Sequence, residues 1–290
     1  MRARHFLTNS AAAALAVSIA ARRRVTRARR VRASGVHRLA RVMTDFEVRF
    51  NVQRATKASM RNREPIARAF ESIVAAHPRA NARALDVLEL GAGAGVHAEA
   101  IARACEGSLR SYAPTDVFDG CFDAARDNCR DRDVVRDPVV LDACSMRERV
   151  AKNSIDALVV INVIHISSER ALVGMFDGAR WALRDDGFVF CYGPFTRGGK
   201  YASEGDERFD KELRERDPVN FGLVDVERVD AEATRATRRA SRRTRGNARL
   251  FARTRVRGTR TRETDECNDV YSHVGFVSDD AESRDETNRG

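Results

Sequence analysis

Three acidic residues, Glu89, Asp116 and Asp142, stand at the ends of short apolar segments that the sequence predicts to be strands. In a doubly wound α/β sheet the carboxyl ends of the parallel strands meet at one edge, and ligands bind outside that edge. Taken alone, each aspartate is more typical of a helix N-cap or a turn. A set of three acids at successive strand ends instead predicts one shared ligand site.

The three acids match different groups of a nucleoside ligand. A carboxylate after the second strand, about 20 residues beyond a glycine loop, accepts two hydrogen bonds from a ribose diol, which favours Asp116 for that role. Asp142 suits an exocyclic amine such as that of adenine, and Glu89 suits a cationic amine. A carboxylate of the ligand could bind the backbone N–H groups at the helix N-terminus that follows Gly95. Together these groups describe S-adenosylmethionine better than a dinucleotide.

A glycine loop follows the first predicted strand, in the segment ALDVLELGAGAGVHA (Ala84–Ala98). Glycine is required where a Cβ atom would forbid the backbone conformation or hold a ligand away from the main chain. Val96 occupies the place of the third glycine in the dinucleotide fingerprint G-x-G-x-x-G, so a nucleotide-dependent dehydrogenase is the weaker interpretation. The predicted cofactor-binding residues are Glu89, Gly91, Ala92, Gly93, Gly95, His97, Asp116, Asp142 and Asn162.

The elements around these residues predict an α/β fold. Five apolar segments alternate with segments of helical periodicity and show no hairpin signal between them, which predicts right-handed crossovers and a doubly wound, mostly parallel sheet with helices on both faces. An amphipathic helix with Pro65 near its start is predicted to begin near Arg61. The predicted strands are residues 85–90, 109–115, 138–141, 155–164 and 188–192.

His165 is the candidate general base. It stands just past the fourth predicted strand, where a positioned imidazole contributes about 10² to 10⁴-fold to a rate. The alternative is an imidazole that hydrogen-bonds the backbone and shapes the loop. Asn162 and Tyr192 lie at the same predicted edge and complete the candidate catalytic set, although packing against the next helix is an equal alternative for Tyr192.

The positive charge of the chain lies at its two ends. Residues 1–44 hold eleven arginines and no acid, residues 231–290 hold 14 arginines against ten acids, and residues 45–230 hold 27 basic and 32 acidic residues. An acidic centre attracts phosphate backbones poorly, so nucleic acid is not expected as a partner of the core. The six cysteines form no C-x-x-C pair and have no histidine at metal spacing, which predicts a reducing compartment and no metal site.

Residues 1–44 are predicted to be a targeting segment and not part of the folded domain. They are rich in Arg, Ala and Ser, and their apolar run has eleven residues, whereas a membrane span needs about 20. A mitochondrial or chloroplast transit peptide fits this composition best. A secretory signal and a disordered leader on a cytoplasmic protein are the alternatives.

Six segments of the chain form a recognisable set: RNREPI (Arg61–Ile66), ELGAGAGVHA (Glu89–Ala98), YAPTD (Tyr112–Asp116), INVIHIS (Ile161–Ser167), YGPF (Tyr192–Phe195) and FDKELRERDP (Phe209–Pro218). They resemble segments of the class I S-adenosylmethionine-dependent methyltransferases and, more narrowly, of the methyltransferase-like protein twenty-six family. The resemblance implies a Rossmann-like methyltransferase domain over residues 61–230, S-adenosylmethionine as its cofactor, and no particular methyl acceptor. It also implies a substrate pocket closed by Arg61, Asn62, Tyr192, Gly193 and Pro194.

Residues 231–290 depart from that pattern. A methyltransferase sheet ends in an antiparallel strand pair, but this tail carries Arg and Thr where apolar alternation is expected. The pair is therefore predicted to be doubtful or missing, and the tail to be disordered. Two functions follow: a methyltransferase for a small-molecule or protein acceptor, or a catalytically inactive scaffold of the same fold that binds the cofactor at most.

Overall fold

The computed structural model describes residues 56–77, 83–241, 254–257 and 269–273. Its sheet has seven strands in the order β3-β2-β1-β4-β5-β7-β6. Strands β1 to β5 run parallel to one another, and β7 runs antiparallel to both β5 and β6. The strands are β1 (Leu85–Leu90), β2 (Leu109–Asp116), β3 (Val139–Val140), β4 (Ile155–Ile161), β5 (Leu183–Gly193), β6 (Thr254–Arg257) and β7 (Asp269–His273).

Helices cover both faces of the sheet, so the predicted fold class is confirmed. Every residue of β1 and β4 is buried, as expected for central parallel strands. Alternate residues of these strands join two hydrophobic clusters, one with α1 and α2 and the other with α5 and α7. The helices are α1 (Lys57–Ala76), α2 (Val96–Ala104), α3 (Phe122–Cys129), α4 (Met146–Arg149), α5 (Glu169–Ala182), α6 (Glu204–Arg216) and α7 (Val226–Ser241), with 3-10 turns at Ala143–Ser145 and Ile164–Ile166.

Helix α1 begins earlier than predicted, so Pro65 lies inside it and not near its start. The helix begins after Thr56, whose hydroxyl accepts a hydrogen bond of 3.0 Å from the backbone N–H of Ser59. Such an N-cap stabilises a helix by about 1 kcal/mol, and the apolar face with Ile66 and Phe70, both fully buried, anchors the part beyond the proline. These contacts hold the helix together although Pro65 cannot donate to the ladder.

The prediction that the terminal strand pair is doubtful or missing is wrong for the backbone of this chain. Strand β7 pairs with β5 from Val189↔His273 to Gly193↔Asp269, and β6 pairs with β7. Ladder hydrogen bonds join main-chain groups, so an Arg- and Thr-rich segment can complete a sheet edge, and charged residues are common on edge strands. Helix α7 also continues past the predicted boundary at Asp230 to Ser241.

A buried ion network joins the amino ends of the strands, at the opposite end of the sheet from the glycine loop. The carboxylate of Asp156, at the start of β4, is fully buried and accepts hydrogen bonds from both Arg83 and Arg184 and from the backbone N–H of Asp86. Asp86, in β1, binds Arg184 and Arg110 in turn. The network therefore fixes the amino ends of β1, β2, β4 and β5 relative to one another.

None of the helices in the described part of the chain is long and apolar enough to cross a membrane. The leader predicted for residues 1–44 lies outside the described residues, so its role stays a prediction.

Candidate functional site

The glycine loop between β1 and α2 has the left-handed backbone that its sequence predicts. The φ angles are +70° at Gly91, +52° at Gly93 and +73° at Gly95. A Cβ atom at Gly91 would lie 2.3 Å from Cγ2 of Val163, and one at Gly95 would lie 3.1 Å from Cα of Ala125. At Gly93 it would meet nothing within 4 Å. The outer glycines are therefore fixed by packing, whereas Gly93 turns toward open space.

Asp116, at the end of β2, binds the glycine loop directly. Its Oδ2 atom accepts a hydrogen bond of 3.0 Å from the backbone N–H of Gly93, and its Oδ1 atom accepts one of 3.2 Å from the N–H of Phe118. Burial raises the pKa of this carboxyl, and the backbone hydrogen bonds from Gly93 and Phe118 oppose the shift. The acid that the sequence assigns to a ribose thus also shapes the loop that would hold the rest of the ligand.

Glu89 is a buried carboxyl group that the described residues do not satisfy. Its exposed fraction is 1%, and neither carboxylate oxygen has a hydrogen-bond partner there. Burial raises the pKa of Glu89 to about 8, and the negative charge of Asp116 adds to this rise. The nearby Tyr112 hydroxyl opposes the rise. That hydroxyl also has no partner with hydrogen-bond geometry among the described residues. An unpaired acid in such a place costs free energy unless a cation or donor arrives from outside the chain.

His97, in the first turn of α2, contacts helix α1. Its Nε2–H donates a hydrogen bond of 3.0 Å to Oδ1 of Asn62. Burial lowers the pKa of His97 to about 4, so the imidazole is neutral at pH 7. The structure therefore brings together Asn62, from the predicted substrate pocket, and His97, from the predicted cofactor set.

The ends of β4 and β5 carry the candidate catalytic residues. Asn162 has a left-handed backbone, with φ +57°, and its N–H donates a 2.8 Å hydrogen bond to the carbonyl of Tyr192. His165 lies in the 3-10 turn that follows, and burial lowers its pKa to about 4. A Cβ atom built on Gly193 would lie 3.5 Å from Nδ1 of His165 and 3.8 Å from Oδ1 of Asn162. These three residues thus meet at one point.

The other predicted residues have different surroundings. Asp142 is exposed, and its Oδ1 accepts a 2.8 Å hydrogen bond from the N–H of Cys144, which is the N-cap alternative. Tyr192 is buried in the hydrophobic cluster under α1, in agreement with its packing alternative. Arg61 is exposed on α1, and Pro194 is buried directly after Gly193.

Three neighbours of the site were not predicted to belong to it. Val117 follows Asp116 and is 50% exposed, which gives an apolar surface beside the ribose-binding candidate. Phe209 places its ring edge-on against His165 with the ring centroids 5.4 Å apart. The N–H of Gly222 donates a 2.9 Å hydrogen bond to the carbonyl of His165. An exposed valine after a strand-end acid is a signal that sequence reasoning could use, whereas the last two contacts depend on tertiary structure.

Replacement of Gly91 by alanine is expected to destabilise the fold more than replacement of Gly107. The φ angle is +70° at Gly91 and +77° at Gly107, so both changes carry a similar backbone strain. Only at Gly91 would the new Cβ collide with Val163, while nothing lies within 4 Å at Gly107. We expect Gly91→Ala to lower the free energy of unfolding by about 1–3 kcal/mol more than Gly107→Ala in urea titrations, because a collision adds to the strain. Equal losses would show that Val163 moves aside without cost.

Comparison with solved structures supports the fold. The CurJ carbon methyltransferase matches with a TM-score of 0.53 and 16% identity, covering 74% of this chain and 54% of that one. An O-methyltransferase family protein from Burkholderia thailandensis matches with a TM-score of 0.52 and 14% identity, covering 73% and 56%. A chain from a complex with the Haloferax volcanii Trm112 methyltransferase activator matches with a TM-score of 0.54 and 12% identity, covering 75% of this chain and 92% of that one.

This chain spans about half the length of the first two of these proteins. At such identities the likeness concerns the fold, which is the Rossmann-like fold of class I methyltransferases. A family model described as "Protein of unknown function (DUF938)" matches residues 53–244, which include the whole of strands β1 to β5. The chain therefore belongs to the DUF938 family.

Proposed function

We propose that this protein is an S-adenosylmethionine-dependent methyltransferase for a small-molecule or protein acceptor, of the methyltransferase-like protein twenty-six type. The observation that carries the proposal is the carboxyl group of Glu89, which is buried beside the glycine loop with both oxygens unpartnered among the described residues. A cationic amine delivered by a ligand would satisfy it, and S-adenosylmethionine carries one.

The other residues at this edge fit the remaining groups of that cofactor. Gly93, with open space beside it, and the N-terminus of α2 would bind the carboxylate through backbone N–H groups. Asp116 would accept hydrogen bonds from the ribose diol. Val117 and Asp142 would contact the base, the first by its apolar surface and the second by its carboxylate.

Bound at this edge, the cofactor supplies an electrophilic methyl group on a sulfonium centre. The protein then has to hold the acceptor in line with that group, and such positioning accounts for about 7–11 kcal/mol of a barrier. His165, which is neutral at pH 7 because burial lowers its pKa to about 4, would take a proton from the acceptor. The mechanism needs no metal ion.

The test is binding of adenosylhomocysteine to the full chain, measured by isothermal titration calorimetry. We expect the wild-type protein to bind it and Asp116→Ala to lose at least about tenfold in affinity, because a charge-assisted hydrogen bond contributes about 1.5–3 kcal/mol. Asp123→Ala is the matched control, because the Asp123 side chain is 99% exposed. If the wild type does not bind adenosylhomocysteine at millimolar concentration, the proposal is contradicted. Binding of NAD in its place would support the dehydrogenase interpretation.

Radiolabelled methyl transfer separates an enzyme from an inactive scaffold. An active enzyme labels an acceptor in an extract of its own compartment, and His165→Ala abolishes that labelling while adenosylhomocysteine still binds. A scaffold binds the ligand and labels nothing.

The compartment itself would be a mitochondrion or chloroplast if residues 1–44 act as a transit peptide, and the cytoplasm otherwise.

A further inference from the structure

Tyr112 is a buried tyrosine whose hydroxyl group has no partner among the described residues. The side chain, in β2, is fully buried in the hydrophobic cluster under α1 and α2. No atom of the described residues binds its hydroxyl with hydrogen-bond geometry. A phenylalanine would fill the same space without the cost of burying a hydroxyl group. Packing alone therefore does not account for a tyrosine at this position.

Glu89 and Tyr112 lie on the same face of the sheet. Tyr112 is paired with Val87 in β1, and Glu89 is the next residue of β1 on that face, because side chains alternate along a strand. Long side chains reach a diagonal neighbour of this kind. Burial raises the pKa of both groups; the hydroxyl opposes the rise at Glu89, and the charge of Glu89 adds to the rise at Tyr112. The fold therefore places two buried polar groups without partners next to each other.

The backbone holds both residues in place. The N–H of Tyr112 donates a 2.7 Å hydrogen bond to the carbonyl of Val134, and its carbonyl accepts one of 2.7 Å from the N–H of Arg136. The carbonyl of Glu89 accepts a 2.6 Å hydrogen bond from the hydroxyl of Thr115. A change of side-chain torsion, and not of the backbone, would therefore bring the hydroxyl and the carboxylate into hydrogen-bond geometry.

The other titratable groups near this pair bring no positive charge at pH 7. After burial, which has the largest effect, the charge of Asp116 raises the pKa of Glu89. The thiols of Cys105, directly after α2, and Cys129, in α3, are neutral because burial raises the pKa of each to about 12. His97, in α2, is neutral because burial lowers its pKa to about 4. Among the described residues, the tyrosine hydroxyl is therefore the side-chain donor available to an ionised Glu89.

We infer that Tyr112 is a positioning residue for the cofactor, whose hydroxyl donates a hydrogen bond to the Glu89 carboxylate once that carboxylate pairs with the cofactor amine. This inference rests on the proposed function and adds the residue that holds Glu89 in its ionised form. Tyr112 is fully buried, so it acts through Glu89 and does not touch the cofactor itself.

A hydroxyl group suits this task because its role can reverse. It accepts a hydrogen bond from a protonated carboxyl group and donates one to a carboxylate. A hydrogen bond to a charged acceptor is also stronger than one between neutral groups. When the cofactor binds, the proton of Glu89 leaves to solvent and the proton of the Tyr112 hydroxyl stays in place.

The test compares the full wild-type chain with Tyr112→Phe, by calorimetric titration of adenosylhomocysteine at pH 7 and by thermal melting at pH 6 without ligand. We expect the variant to bind about tenfold more weakly, as for the loss of a hydrogen bond to a charged group. It should melt at the same temperature as the wild type or higher, because Glu89 is protonated at pH 6 and the lost hydroxyl has no partner among the described residues.

The matched control is Tyr201→Phe. It removes a hydroxyl that donates a 2.8 Å hydrogen bond to Asp210, in α6. We expect this change to leave the affinity for adenosylhomocysteine within about twofold of the wild type, because Tyr201 has no part in the cofactor site.

Two further readouts would not change if Tyr112 served the fold alone. At pH 8 the wild type should release about half a proton when adenosylhomocysteine binds, because the pKa of Glu89 is about 8. Tyr112→Phe should release nearly one, because the loss of the donor raises that pKa further. In the Glu89→Gln background, the same change should alter the affinity by less than about twofold, since the carboxylate that it serves is absent.

The outcomes separate the two proposals. If the wild type does not bind adenosylhomocysteine, the proposed function itself is wrong. If it binds and Tyr112→Phe binds equally well, or if Tyr112→Phe loses the same affinity in the Glu89→Gln background, the inference about Tyr112 is overturned and the cofactor site stands. A lower melting temperature at pH 6 with unchanged proton release also overturns it, because the hydroxyl then serves the fold.

Discussion

Replacement of Asp156 by alanine is expected to lower the free energy of unfolding by about 3 kcal/mol. Removing one partner of a buried ion pair costs about 3–5 kcal/mol because the other charges lose their counter-ion. The lower end applies here, since the side chains of Arg83 and Arg184 are 29% and 21% exposed and keep some contact with water. For a domain of this size the loss corresponds to a fall in Tm of about 6–12 °C.

The matched control is Asp127→Ala, which removes an ion pair between two exposed side chains, Asp127 at 76% and Arg130 at 66%. Exposed pairs contribute little, so this change should stay within about 0.5 kcal/mol. Urea titrations of the three proteins measure the difference. A loss below about 1 kcal/mol for Asp156→Ala would mean that Asp86 alone neutralises the two arginines.

The same network makes the free energy of unfolding decrease at acidic pH. Burial disfavours the charged form of Asp86, but hydrogen bonds from Arg110, Ser111 and Arg184 outweigh that effect and lower its pKa to about 2. A carboxyl group whose pKa is lower in the folded state contributes stability above its unfolded pKa of about 4, and this contribution is lost as the pH falls toward 2.

The second large effect concerns Glu89, whose titration has the opposite sign. Its pKa is raised from 4.5 to about 8 in the folded protein, so the folded state binds a proton that the unfolded state releases between these values. The resulting stability is complete below pH 4.5 and is lost as the pH rises through 8. By pH 7 the loss is about 3 kcal/mol.

Glu89→Gln should remove this pH dependence and weaken cofactor binding together. The free energy of unfolding of the wild type, relative to the variant, should fall from pH 5 to pH 8 in urea titrations. If the cofactor amine pairs with Glu89, adenosylhomocysteine binding at pH 7 releases nearly one proton in the wild type, because the group is then mostly protonated before binding. Calorimetry in buffers of different ionisation enthalpy measures that proton, and we expect the variant to release none and to bind about 10- to 100-fold more weakly. Binding without proton release would mean that the amine lies elsewhere.

Much of the sheet could be predicted from the sequence because its signals are local. The apolar run of β4, the glycines after β1 and the acids at the strand ends each report on a few neighbouring residues. Asp116 bears this out, since the residue that was predicted to end the second strand does end it and binds the loop at Gly93. The parallel topology followed from alternation of strands and helices, which is again a property of the chain order.

The features that were missed depend on residues far apart in the sequence. The start of α1 was placed too late because Pro65 is a strong local signal, whereas burial of Ile66 and Phe70 against the sheet is not visible locally. Contact between Phe209 and His165 exists only once α6 lies over the ends of β4 and β5. The strand pair after α7 rests on backbone hydrogen bonds, which no side-chain pattern announces.

The position of β1 between β2 and β4 also orders the events of folding. The contact between Asp86 and Arg110 closes a loop of 24 residues, whereas the one between Asp86 and Asp156 closes a loop of 70. The longer closure costs about 1 kcal/mol more chain entropy. The unit of β1, α2 and β2 should therefore form first and β4 join it later, so Asp156→Ala should accelerate unfolding more than it slows folding.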